Sequence, residues 1–327
     1  MTAAIQGQKK SHHFIPQFYL RGFLDPDQVA AGQNVLWVYR PGSKPKPKGT
    51  KAVACEDFFY DATDLPAEVG SIEDKLAQIE AIAAPTFQKL RSGEIRLTDQ
   101  EKGELAMFVA LMLSRTQSSR EQTNTITAQF MRLRDKRALD VPGEIERIVA
   151  EVERTTGEKL DVSAVREAFR LVVEGHIHVT QSSKAWNIKQ MFERAYEFGD
   201  LFERMRWELL EAPLGEAFIT SDSPVRIFDP AAVARGPKEF QFTEGLQLQC
   251  PISSRFLLVG SFGPGQDRRE QIPADWVRRF NWNQMAHASG QIYAALKSEK
   301  LQSEFDCVVN VRPPVIPRLP DDFLEGS

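Results

Sequence analysis

The stretch Lys9–Phe23, KKSHHFIPQFYLRGF, sets two adjacent histidines behind two lysines and beside a proline and four aromatic rings. Imidazole is the side chain that exchanges a proton near neutral pH, and it is also a common metal ligand. His12 and His13 are therefore the first candidates for a general base or a ligand. A second candidate follows the apolar AFI at Thr220–Pro224, TSDSP, which places Asp222 at a strand end between two hydroxyls. A carboxylate there can bind a metal or act as a base. It can equally fix its own turn by bonding nearby backbone. Together these residues would make a His/Asp site, with His13 and Asp222 as metal ligands, if the two ends of the chain fold together.

Local spacing limits the nuclease reading. His-x-x-Pro superficially matches the first half of an HNH site, but the residues after Pro16 are QFYLRGF and the next histidine is His176. The alternative is structural: Pro16 opens a helical turn, Phe18, Leu20 and Phe23 pack, and one histidine bonds neighbouring backbone. His176 and His178 have the i, i+2 spacing that shares a face in an extended segment, and they would need a third ligand to hold a metal. Glu73 and Glu80, seven apart, share a helix face, where solvated charge is the ordinary outcome. Arg115 and Thr116 end a long apolar run; such a cation either neutralises a carboxylate such as Asp222 or holds an anionic ligand. Tyr19, Arg21, Thr220, Ser221 and Asn281 are the candidate substrate contacts, and Asn281 also reads as a core hydrogen-bonding residue.

The elements that must position these groups change character along the chain. NVLWVYRPG reads as a strand running into a turn, SKPKPKGTK as an exposed loop with polyproline character, and AVACEDFFYD as a second strand pairing with the first. From Ser71 the period becomes helical, with Ser71 as N-cap, Gly93 as a stop and Pro85 as a kink or a division. Thr98 and Glu101 have capping-box spacing, and LAMFVALML is apolar nearly all round, in a pattern running on toward Leu139. Helices follow over 144–155 and 163–175, then a long one from KAWNIKQ that finishes as a strand near Trp207. EAFITSDSPVRIF, GLQLQCPISSRFLLVGSF and QIYAAL read as strands, with a helix from Pro273 to Gly290 between the last two. The expected class is α+β, with N- and C-terminal strands sharing a mixed sheet and a central, mainly helical block over about 71–205. Residues 1–11 read as a basic flexible leader, 12–312 as one domain and 313–327 as a proline-rich tail.

Bulk composition fits a globular chain of 327 residues, 42% hydrophobic and 26% charged, and no run approaches the ~18–20 apolar residues that span a bilayer. Cys55, Cys250 and Cys307 are too few and too scattered for a disulfide framework, which suits a reducing cytoplasm. The net charge of −4 conceals an asymmetry: residues 1–51 carry eight Lys or Arg against two Asp. A basic end on an acidic body can meet phosphate, so nucleic acid is one candidate partner, and it can equally dock on the body itself. No dinucleotide fingerprint, P-loop, nucleophile elbow or HExxH motif is present.

HHFIPQFYLRGF, VLWVY, CEDFFYD, SIEDKLAQIE, FVALMLSRT, AFITSDSPV, LQCPISSRFLL and RRFNWNQMAHASGQIYAAL, in that order, resemble the bacterial family called domain of unknown function number 4238. Pro251-Ile252-Ser253 stands where that family often has Pro-Leu-Ser. The resemblance implies one continuous domain and no established activity. Two functions are expected on the residues: a hydrolase using Mg²⁺ or Mn²⁺ on a phosphodiester or nucleic acid, with His12 or His13, Asp222 and Arg115 at its centre, or a non-catalytic binding or regulatory protein of a bacterial defence or toxin-related module.

Overall fold

The computed structural model describes residues 11–62, 70–176, 182–228 and 246–310. Eleven strands, β1 (Ser11–His13), β2 (Val35–Tyr39), β3 (Lys46–Gly49), β4 (Cys55–Asp57), β5 (Arg206–Glu211), β6 (Thr220–Ser221), β7 (Arg226–Phe228), β8 (Gln247–Pro251), β9 (Phe256–Ser261), β10 (Arg268–Gln271) and β11 (Ile292–Ala294), lie among these residues. They form a two-stranded β1–β4 ribbon, a five-stranded sheet in the order β10-β5-β9-β8-β7 and a four-stranded sheet in the order β3-β2-β11-β6. The helices are α1 (Gln17–Leu20), α2 (Pro26–Ala30), α3 (Ile72–Arg91), α4 (Asp99–Ser114), α5 (Gln117–Asp140), α6 (Glu144–Thr156), α7 (Val162–Val173), α8 (Lys184–Glu203), α9 (Ala274–His287) and α10 (Glu299–Asn310). Helix is the larger share, with the sheets built from both ends of the chain, so the class is α+β.

The expected sharing of a sheet by the two ends holds in the four-stranded sheet, where β11 pairs with β2 on one side and β6 on the other. Every pairing in it is antiparallel; the mixed sheet is the five-stranded one, where β10 runs parallel to β5. Two strand readings need correction. KPKG is the strand β3 rather than a loop, with Pro47 opposite Trp37. Proline is tolerated there because β3 is an edge strand, with no further ladder for the missing N–H to join. CED does form a strand, but its partner is β1, not β2.

Chain contacts divide the protein into two compact units. Among the described residues, 11–120 and 188–310 form one, and Glu121–Asn187 forms the other. The helical block expected over 71–205 is thus divided between them. In the smaller unit the amphipathic α6 and α7 bury Ile145 and Val149 beside Val165 and Phe169. In the larger unit α4 is buried on almost all sides, with Leu105, Phe108, Val109 and Leu111 in one core with Phe87 of α3 and Leu248 and Leu258 of the five-stranded sheet.

Local capping follows the sequence closely. Ser71 Oγ accepts from Asp74 N at 3.2 Å, and Thr98 and Glu101 complete a reciprocal capping box. The helix over Ile72–Arg91 is continuous through Pro85. The apolar helix does not run on to Leu139, however; it stops at Ser114, and Thr116 Oγ1 starts α5 by accepting from Ser119 N at 3.2 Å. That break turns Arg115 back into the protein.

Arg91, at the end of α3, ties the N-terminal segment to the large sheet. Its guanidinium donates to the carbonyls of Ile252 (2.7 Å), Phe18 (2.9 Å) and Tyr19 (2.6 Å). Gly22 lies against this tie: a Cβ there would sit 2.4 Å from the Ile252 oxygen and 2.7 Å from Arg91 Nη2. Gly22→Ala is expected to cost about 1–3 kcal/mol through overpacking, seen as a lower urea midpoint at unchanged m value.

Candidate functional site

Strand alternation separates the two histidines. In β1, His12 lies opposite Glu56 and His13 opposite Cys55, so their side chains leave the ribbon on opposite faces. The ribbon is flanked by two residues in the left-handed region, Ala54 at φ 51° and Phe58 at φ 57°. Neither is glycine, so each bend is held by its surroundings.

His12 is buried and committed to the fold. Its Nδ1 accepts from Tyr60 N at 3.0 Å, which puts the ring proton on Nε2, and Nε2 lies 3.7 Å from Asp61 Oδ1. The ring also stacks on Tyr60, with centroids 5.8 Å apart and planes at 14°.

His13 is placed differently. It is half-buried and lines a cavity of about 280 Å³ with Gln17, Phe18, Arg21, Glu73, Asp74, Leu76, Ala77, Glu80 and Arg115. Its Nε2 is sealed from water and has no hydrogen-bond partner. Burial lowers the imidazole pKa below its usual 6.5, and the Thr50 backbone opposes it by favouring the charged form.

Arg115 braces this wall. It donates through Nη1 to Glu80 Oε1 (2.8 Å), through Nη2 to the His13 carbonyl (2.6 Å) and through Nε to the Tyr60 hydroxyl (3.3 Å). Its side chain is only 1% exposed, against 24% for Glu80. Burial pulls the guanidinium pKa down, but Tyr60 and Glu80 outweigh it and the net shift is upward. The carboxylate that Arg115 neutralises is therefore Glu80. Three of its five N–H donors are taken by protein, which leaves two for the anionic ligand expected of it.

Asp222 belongs to another arrangement. Its Oδ1 accepts from Ser289 N at 2.7 Å and its Oδ2 from Gly290 N (2.7 Å) and Gln291 N (2.8 Å), fastening the turn between α9 and β11. It is not among the residues lining the His13 cavity.

The expected substrate contacts divide in the same way. Arg21 lines the cavity from its exposed side. Tyr19, fully buried, bonds Thr220 Oγ1 at 2.8 Å and the Pro251 carbonyl. Ser221 accepts from Gln284 Nε2 (2.7 Å) and from Ser223 N (3.0 Å). Asn281 accepts from Ile219 N at 3.1 Å and donates to the Ala217 carbonyl at 2.8 Å. These four groups hold strands and helix together inside the protein. His176 is exposed, 3.5 Å from Glu174, and His178 lies outside the described residues, as do the basic leader through Lys10 and the tail from 311.

Sequence reasoning set Glu73 and Glu80 aside as solvated charge, whereas both line the cavity; the i, i+7 spacing on α3 was the available signal. Gln17, Phe18 and Asp74 carried no such signal, because what makes them lining residues is the approach of α1 to α3. Among the described residues no group of three or more His, Cys, Asp and Glu side chains is arranged to hold a metal ion. Also among them, no helix is long and apolar enough to cross a membrane.

No curated protein and no solved structure matches the chain. One family model does, over residues 11–298, which takes in β1, the cavity and both large sheets. The chain belongs to the family described as protein of unknown function (DUF4238).

Proposed function

We propose that the protein is a small-molecule hydrolase in which His13 is the proton acceptor, working in the cavity beside β1, α1 and α3. The observation that carries this reading is the sealed, unpartnered Nε2 on a residue that lines a polar cavity. A buried polar atom without a partner costs about 1–3 kcal/mol, a cost that a small turn of the ring toward the cavity and a proton from a substrate would relieve. An imidazole held neutral at pH 7 is also in the right form to accept a proton. The cavity is just under the ~300–1,000 Å³ range of small-molecule pockets, enough for a compact substrate. A version using Mg²⁺ or Mn²⁺ on a phosphodiester would draw on His13, Glu73 and Glu80, which share the cavity, rather than on Asp222.

The test is hydrolysis by the purified chain, with and without Mg²⁺ or Mn²⁺, of esters, amides, phosphodiesters and single- and double-stranded nucleic acids. Turnover is expected on one substrate class. Its acid limb should fall below the ordinary imidazole value of 6.5, because burial has lowered the pKa. His13→Gln should reduce kcat by about 10²–10⁴-fold, the usual share of a general base. A His13→Gln protein as active as its parent ends the assignment.

The second reading, a non-catalytic binding protein, is favoured by one observation. His12 and Asp222 are both buried with backbone partners, as fold-specifying groups would be. Saturable binding in the cavity with no turnover on any substrate class decides for it.

A further inference from the structure

Helix α9 is pinned along one face and uncovered along the other. Inward, Val277 and Phe280 pack with Phe218, Leu257 and Ile272, and Met285 packs with Tyr39 and Phe305. Asn281 and Gln284 add hydrogen bonds to the segment 217–223. Outward, the same helix exposes two tryptophans, Trp276 at 50% and Trp282 at 42%. Solvent-facing indoles contribute little to the core, and tryptophan with arginine is the pairing that carries most binding energy at protein contacts. Arg279, also exposed, stands midway between them, so the three form one i, i+3, i+6 ridge about 9 Å long. Asp275 is exposed four residues before Arg279. The two have opposite charge, yet among the described residues neither side chain forms a salt bridge, with the other or elsewhere. Arg278, by contrast, is held by Glu216 at 3.1 Å.

From Asp275 to Asn283 the exposed residues match when the helix is reversed about Arg279. Reversal sets Trp276 on Trp282 and the carboxylate of Asp275 on the amide of Asn283, whose NH₂ donates where the acid accepts. An isologous twofold contact imposes this condition: residue i meets j, and j meets i. Arg279 falls at the axis, where a planar guanidinium stacks on indole. The two arginines brought together there are balanced by two Asp275 carboxylates, so the joined face is neutral. A nucleic acid calls for a cationic face, whereas here the charges cancel.

We propose that the outer face of α9 is a dimerisation surface, taking a second copy of this chain across a twofold axis at Arg279. This contact is independent of the His13 cavity. Sedimentation equilibrium of the full chain between about 1 and 100 µM tests it. A monomer–dimer equilibrium is expected. Trp276→Ala and Trp282→Ala should each weaken it at least a hundredfold, since a central tryptophan is worth tenfold or more and each change is made twice across the axis. Trp186→Ala removes a similarly exposed tryptophan from α8 and should dimerise as the parent does. Asp275→Arg and Arg279→Asp should each weaken the dimer at least tenfold by gathering four like charges at the axis, and the double exchange should recover most of the loss. Matched melting temperatures at the lowest concentration show that the variants are folded. The proposal is overturned if the parent is monomeric at about 100 µM, if the dimer is indifferent to both tryptophan changes, or if the double exchange is no tighter than either single one. A monomeric parent that binds single-stranded DNA or an acidic protein through Trp276 gives the face to that partner instead.

Discussion

Arg115→Met is expected to lower the stability of the protein by about 3 kcal/mol or more, because it removes one partner of a buried ion pair while leaving the others in place. The methionine keeps much of the arginine's apolar stem but none of its donors. Glu80 Oε1, the His13 carbonyl and the Tyr60 hydroxyl each lose a hydrogen bond at once. Glu80 is 24% exposed and recovers some hydration, which keeps the estimate near the low end of the ~3–5 kcal/mol range for broken buried pairs. The His13 carbonyl keeps only the Tyr60 hydroxyl, at 3.5 Å, and the same three donors fix the end of β1 and hence the edge of the cavity. Urea denaturation measures the loss, and a Glu80→Leu, Arg115→Met double variant should regain a measurable part of it, with a coupling of about 1–3 kcal/mol. A loss below about 1 kcal/mol for Arg115→Met would show that the brace is not holding the site.

The reason Arg115 was ambiguous in sequence illustrates what a chain discloses about itself. Its own helix was readable: the Thr98–Glu101 capping box and the all-round apolar run place α4 within a residue of its observed start. The helix stop was not, because Thr116 ends one helix and caps the next without a glycine or proline to mark the change. Which carboxylate the arginine meets is a long-range fact. Asp222 and Glu80 were equally plausible from type alone, and only the packing of α3 against α4 selects Glu80. The same distinction governs the sheets. Alternation disclosed β2, and short apolar runs disclosed β8, β9 and β11, each of which buries most of its length. KPKG and RREQ have no apolar signal. Arg268 meets Glu208 at 3.3 Å and Arg269 meets Glu211 at 2.6 Å, so β10 is held to β5 by charge pairs that appear only once the two strands are adjacent. Of the two histidines, strand alternation implied opposite faces once β1 was known to be a strand. Which face held a cavity depended on α1 and α3, more than fifty positions apart in sequence.

Asp222→Ala carries the second large effect, and it separates the two roles that a carboxylate in TSDSP can have. As the structure places it, the side chain takes three backbone N–H groups, from Ser289, Gly290 and Gln291, all at 2.7–2.8 Å. Hydrogen bonds to an ionised group are each worth about 1.5–3 kcal/mol, and leaving a donor unmet forfeits its solvation as well. Ser289 is exposed and reaches water after the change, so the expected total is about 3 kcal/mol rather than the full sum. Asp222→Asn should fall between: its amide oxygen keeps part of the cluster while its NH₂ confronts donors with another donor. Hydrogen exchange localises the effect, since the amides of 289–291 should exchange faster in Asp222→Ala while those of α3 change only with global stability. The carboxylate does not line the His13 cavity, so any turnover that depends on His13, at a temperature where the variant is folded, should match the parent's. Unchanged exchange at 289–291 combined with lost turnover would return Asp222 to the site. Faster exchange with turnover intact fixes it as the residue that fastens the α9–β11 turn to the four-stranded sheet through β6.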